Sequence, residues 1–111
     1  MSDPNEWRLN NLPESAAEIV KALRANGFDE ENGQVRQVLN LAEEVGEFVG
    51  AFRRWSGQAR RSGTAEEMYA ELADVVITAF VTAEEFGVDL EDLIGQKLVK
   101  VFSRGWREAA S

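Results

Sequence analysis

The sequence predicts an all-α, four-helix bundle-like fold with two long central antiparallel helices, completed by oligomerisation. Three observations predict it. Apolar residues recur in steps of three and four through most of the chain. Helix-starting caps and helix-stopping glycines fall at the ends of those stretches. No segment alternates polar and apolar residues as a half-buried strand does.

Residues 1–13 are polar, contain both prolines and read as an irregular arm. Residues 14–111 read as a single helical domain. A first helix is expected from Ser15, where Ser15 and Glu18 form a capping-box pattern, to a stop at Gly27. The second spans about Gln34 to Trp55. Its apolar face is Val35, Val38, Leu39, Ala42, Val45, Val49 and Phe52. Thr64 and Glu67 repeat the capping box before a third helix that ends at Gly87. The expected core positions of that helix are Met68, Leu72, Val75, Val76, Ala79, Ala83 and Phe86. Asp89 then caps a fourth helix, through Lys100 and as far as Arg104. Stripes this wide in a chain this short leave apolar surface to cover, which points to a homodimer or homotetramer.

Composition removes several chemistries. The 111 residues carry 20 acidic and 12 basic side chains, a net charge of -8. A nucleic-acid binder needs a basic face to displace counterions, so nucleic acid is not an expected partner. The chain has no cysteine and no histidine. That excludes thiolate chemistry, a Ser-His-Asp triad and histidine metal sites. The N-terminus lacks the pattern of a signal peptide and no apolar run is long enough to span a membrane. A cytoplasmic location without membrane contact is the expectation.

Chemistry must then run on carboxylates. The second helix carries Glu43, Glu44 and Glu47, and the third carries Glu71 and Asp74. Residues three or four apart are neighbours on a helix, so each set is a local cluster. Antiparallel packing lets the two sets face each other. A solvated acidic face is the ordinary meaning of such a pattern, yet none of the five has a Lys or Arg at i±3 or i±4. Two carboxylates ~5 Å apart repel by roughly 3 kcal/mol at an effective dielectric of about 20. A hard divalent cation compensates such a cluster, and oxygen-only ligands select Mg²⁺, Mn²⁺ or Ca²⁺. Mg²⁺ usually completes its octahedron with waters and substrate phosphates, which makes triphosphate chemistry a natural use.

The spacing Glu43-Glu44-x-x-Glu47, followed by Glu71-x-x-Asp74, resembles the signature of the all-α MazG-like pyrophosphohydrolases. That group includes dimeric dUTPases and the eukaryotic dCTP pyrophosphatase. The likeness extends through Glu44-Val45-Gly46-Glu47 with Phe52 and Trp55, and through Asp74-Val75-Val76-Ile77 to Val88-Asp89-Leu90. It covers about Phe28 to Trp106. It implies hydrolysis of a nucleoside triphosphate between the α and β phosphates, giving a monophosphate and pyrophosphate. Nucleotide-pool house-cleaning and control of a normal nucleotide pool are both open as its role. It also implies a dimer or tetramer with sites near subunit interfaces. On this reading Glu44, Glu47, Glu71 and Asp74 are ligands of Mg²⁺, with Mn²⁺ as its substitute. Glu43 and Glu47 are the catalytic carboxylates, Glu43 orienting the water. Lys97 and Arg104 match the family's two phosphate-binding cations, while Val101 stands where relatives commonly have Asn. Phe28 sits where relatives place a base-stacking Trp. Trp7, Trp55 and Trp106 are other aromatics able to stack on a base.

Two other readings fit the same residues. One is the related phosphoribosyl-ATP pyrophosphohydrolase; the other is a non-catalytic acidic module that binds a partner. The run from Arg53 to Arg61 is basic within an acidic chain. It reads as a solvated loop or as an element that steers an anion. Gly46 and Gly50, four apart in a helix, are expected to let the two long helices approach closely and bring the acids together.

Overall fold

The computed structural model describes residues 11–104. They form four helices: α1 (Leu12–Ala25), α2 (Gly33–Trp55), α3 (Ala65–Phe86) and α4 (Leu90–Ser103). There is no strand among the described residues.

Two of the four helix starts follow from the expected caps, and a third, that of α2, has no side-chain cap. α2 begins at Gly33, one residue before Gln34. Thr64 caps α3 by accepting the Glu67 N–H at 3.1 Å, and Asp89 caps α4 by accepting the Asp92 N–H at 3.1 Å. Gly87 stops α3 in the left-handed region, at φ 67°. The fourth start differs. α1 begins at Leu12, three residues before Ser15, and Ser15 does not cap it. Pro13 lies in the first turn, where its missing N–H is no loss and its fixed φ suits a helix. The Ser15 hydroxyl instead donates to the Asn11 carbonyl at 3.0 Å.

α2 and α3 form an antiparallel hairpin. Glu85 lies against Gly33, the Thr82 hydroxyl lies 3.4 Å from the Gln37 carbonyl, and Glu71 meets Glu44 and Glu47. Early positions on α2 thus pair with late positions on α3. α1 packs on the far part of α3, around the small cluster Ala16, Phe80 and Val81, with Leu12, Val20 and Leu90 against it.

The expected core is corrected here. Val35, Val38, Leu39, Val45, Val49 and Phe52 are 41–60% exposed. On α3, Met68 and Ala83 are buried, but Leu72, Val76 and Phe86 are not. The side of α2 that the chain itself covers or half-covers is Gly33, Gln37, Leu41, Glu44, Phe48 and Ala51. These recur at helical spacing on another side of the cylinder from the apolar stripe. The hairpin seam is therefore partly polar, and the greasiest face of α2 looks outward. α4 buries no residue at all. The Cα radius of gyration is 17.2 Å, against about 13 Å for a compact domain of 100 residues.

Candidate metal centre

The seam between α2 and α3 places three carboxylates together. One oxygen each from Glu44, Glu47 and Glu71 lies within 4.8 Å of the others. Glu44 and Glu47 are one turn apart on α2; Glu71 arrives from α3. Glu44 and Glu71 are half-buried and Glu47 is exposed. The Oε2 atoms of Glu44 and Glu71 are buried and have no hydrogen-bond partner.

This environment disfavours ionisation. The Glu44 carboxyl is raised above its ordinary 4.5, first by loss of solvent, then by the charges of Glu47 and Asp74, by contact with Glu47 and by the charge of Glu71. Glu71 is raised likewise: solvent loss leads, followed by the charges of Glu47 and Asp74 and contact with Glu47. Arg54 opposes that rise at Glu71. Asp74, one turn beyond Glu71, stands outside the tight group but acts on both half-buried acids. Glu43 is exposed and also outside the group. Orphaned, desolvated and mutually repelling oxygens are the donor set that a hard divalent cation satisfies. The residues present fit such an ion.

The other expected site residues lie elsewhere in the single chain. Phe28, 46% exposed, precedes α2, whose stretch from Gly33 to Glu44 is roughly 16 Å of helix. The Arg36 guanidinium lies over its ring, 5.2 Å from the centroid. Asp29 holds that arrangement, with its carbonyl accepting from Arg36 Nη2 at 2.7 Å and its carboxylate from the Asn32 N–H at 3.0 Å. Lys97 and Arg104 line a groove of ≈ 210 Å³ with Lys100, Val101 and Ser103. Every member of that groove belongs to α4 or its C-cap, and α4 joins the body at Leu90. Trp55 is 48% exposed and pairs with Phe52 on its own helix, centroids 6.2 Å apart. Trp7 and Trp106 lie outside the described residues.

Two expectations about neighbours change. A Cβ on Gly46 would meet nothing within 4 Å, and one on Gly50 would meet only Arg54 Nη1, at 3.4 Å. Neither glycine lies where α3 approaches, because both sit off the seam. Arg54 is the cation that reaches the acid group. Its sequence signal was the basic run, but a search at i±3 and i±4 sees one helix and misses a neighbour across a hairpin.

An all-α hairpin that converges carboxylates from both of its helices is a class of architecture compatible with a bound cation. The chain belongs to the MazG family: the MazG nucleotide pyrophosphohydrolase domain matches residues 32–105. No curated protein and no solved structure matches it. The matched span contains α2, α3, α4 and all five acids. Membership supports nucleotide pyrophosphohydrolysis as the class of activity. No helix among the described residues is long and apolar enough to cross a membrane.

Proposed function

We propose that the protein is a Mg²⁺-dependent nucleoside triphosphate pyrophosphohydrolase that cleaves between the α and β phosphates. One observation carries the proposal: three carboxylates from two helices bring oxygens within 4.8 Å of one another, with two buried oxygens unpartnered. A partner-binding acidic module spreads its charge over a surface, whereas here three acids from two helices converge in one seam.

Glu44, Glu47, Glu71 and Asp74 would hold the ion. When bound, it neutralises phosphate charge and acidifies water. Glu47, in contact with both half-buried acids, also serves as a base, and exposed Glu43 orients the attacking water from the flank. Attack at the α-phosphorus releases pyrophosphate and leaves a nucleoside monophosphate. Phe28 offers the base a flat apolar face. Mn²⁺ replaces Mg²⁺ in the same oxygen set.

The working unit is a homodimer or homotetramer. The exposed stripe of α2 and the unburied α4 are surfaces that a second copy covers. Lys97 and Arg104 then reach the triphosphate from the other copy, since their own helix holds them in a separate groove. A cytoplasmic enzyme that clears unwanted nucleotides is the role these parts suit.

The test is a panel of nucleoside and deoxynucleoside triphosphates with Mg²⁺, scored by product. A monophosphate with intact pyrophosphate is expected. Orthophosphate alone, or no product from any nucleotide, would favour the acidic binding module instead.

A further inference from the structure

We propose that Arg54 is an in-chain phosphate contact: its guanidinium takes the β and γ phosphates of a triphosphate whose α-phosphate lies at the carboxylates. The inference rests on the proposed function and adds to it a direction for the substrate along the hairpin.

The first support is helical spacing. Glu47, Gly50 and Arg54 stand at i, i+3 and i+7, on one face of α2. Helical side chains lean toward the N-terminus, so Arg54 folds back along this face toward Glu47. Its Nη1 stands 3.4 Å from the place a Gly50 Cβ would occupy. Gly50 therefore leaves the path clear between a carboxylate of the cluster and a guanidinium about two turns further on. A Cβ there would touch Nη1 at ordinary van der Waals distance, and a longer side chain would extend into that path.

The backbone beneath this guanidinium is pinned. The Arg54 carbonyl accepts the N–H of Gly57 at 3.4 Å and of Gly63 at 3.3 Å, closing the connecting loop onto the end of α2. Gly63 has no side chain to interfere: a Cβ there would stand 3.1 Å from both Arg54 Cβ and Glu67 Oε2. Arg54 is half-buried, so its stem has few positions to choose from.

The guanidinium is also uncommitted. The ion pairs among the described residues are Arg24 with Glu85 and Arg36 with Asp29. Arg54 joins neither, although it lies near enough to Glu71 to act on it. A planar fork of donors beside an acid group, unpaired with it, suits the paired oxygens of a phosphate. Positive charge at that place meets the charge that develops on departing pyrophosphate. The phosphates then run from the carboxylates toward the loop, and pyrophosphate leaves by the loop end.

The test separates this site from the reaction. Inorganic triphosphate with Mg²⁺ is titrated calorimetrically into the parent, Arg54→Gln and Arg54→Lys, each first checked for helicity and melting. Arg54→Gln should bind triphosphate about tenfold or more weakly, while binding Mg²⁺ alone at least as tightly as the parent. Arg54→Lys should recover part of the loss, because it restores charge without the fork. In turnover, Arg54→Gln should raise KM and weaken inhibition by pyrophosphate. Equal triphosphate affinity in the parent and Arg54→Gln overturns the inference, even if melting falls, because a merely structural arginine gives that pattern. If the parent hydrolyses no nucleotide yet Arg54→Gln still loses triphosphate, the anion site stands and the enzymatic reading falls. If the parent is active and Arg54→Gln matches it in binding and KM, the reverse holds.

Discussion

Two carboxyl groups of the metal-free protein stand above their ordinary values. Glu44 and Glu71 hold their protons above the ordinary 4.5 because folding strips solvent from them and sets acids beside them. In the unfolded chain they ionise at the ordinary value, so between 4.5 and the raised values the folded state binds more protons. Its stability then falls as pH rises through that window. Asp29 works in the other sense and lower down: hydrogen bonds from Asn32 lower it from 3.8, so its contribution is lost only in stronger acid. Without metal, the melting temperature should decline from about pH 4.5 upward. Mg²⁺ should raise it more at pH 8 than at pH 5, since protons compete with the ion. Equal Mg²⁺ shifts at both pH values would count against a metal held by these acids. Glu47→Ala and Asp74→Ala remove like charge from the same place. Each should melt at or above the parent without metal, and release no pyrophosphate with it. Calorimetry and a product assay on the same preparations check both halves.

A half-buried ion pair joins the helices at the other end of the hairpin. Arg24 at the end of α1 pairs with Glu85 of α3, whose side chain is 1% exposed. Arg24 also donates to the Phe28 carbonyl at 3.4 Å, so one side chain ties α1, the loop and α3. The second Glu85 oxygen is buried without a partner and lies beside Gly33, where a Cβ would overlap it outright. The N-terminus of α2 partly compensates that charge. Arg24→Ala should cost about 2 kcal/mol or more in urea denaturation with saturating Mg²⁺, because it strands a buried carboxylate. Glu85→Gln should cost less. A loss below about 0.5 kcal/mol for Arg24→Ala would mean the pair is no more than a surface contact.

Little of this clasp was legible in the sequence, since 61 positions separate its partners. Local features were legible: Thr64, Gly87 and Asp89 act on backbone groups within a few residues. Ser15 misled because a serine also bonds back to a carbonyl four residues earlier. The acid group was legible from two spacings, since each spacing fixes one helix face and the hairpin fixes the other relation. The apolar stripe of α2 was legible as a face, but periodicity does not say which neighbour covers it.

At the scale of the whole molecule, one chain leaves wide apolar faces uncovered. Leu39, Val38, Val35 and Val49 are 47–60% exposed on α2, and Val99 and Phe102 reach 69% and 67% on α4. Among the described residues no large side chain is fully buried, so hydrophobic burial among them is slight. The cations expected to hold phosphate lie on the helix with the least attachment. If copies of the chain assemble through these faces, α4 of one copy is free to reach the carboxylates of another, and mixing tests that directly. Glu47→Ala lacks a working acid group but keeps Lys97; Lys97→Ala is the reverse, with partial activity of its own. Unfolded together and refolded, they form hybrids. If Lys97 acts across the interface, each hybrid dimer has one intact site, beside one with both defects. Random pairing then restores about a quarter of parental activity above the residual from Lys97→Ala. If Lys97 serves its own chain, every hybrid site is damaged and the mixture shows no more than the mean of the two variants. Leu39→Glu, placed in the exposed stripe, is the control: it should lower the sedimenting mass and remove the recovery together. A mixture at the mean, from variants that demonstrably co-assemble, would return Lys97 to its own chain and leave α4 without a role in the partner's site.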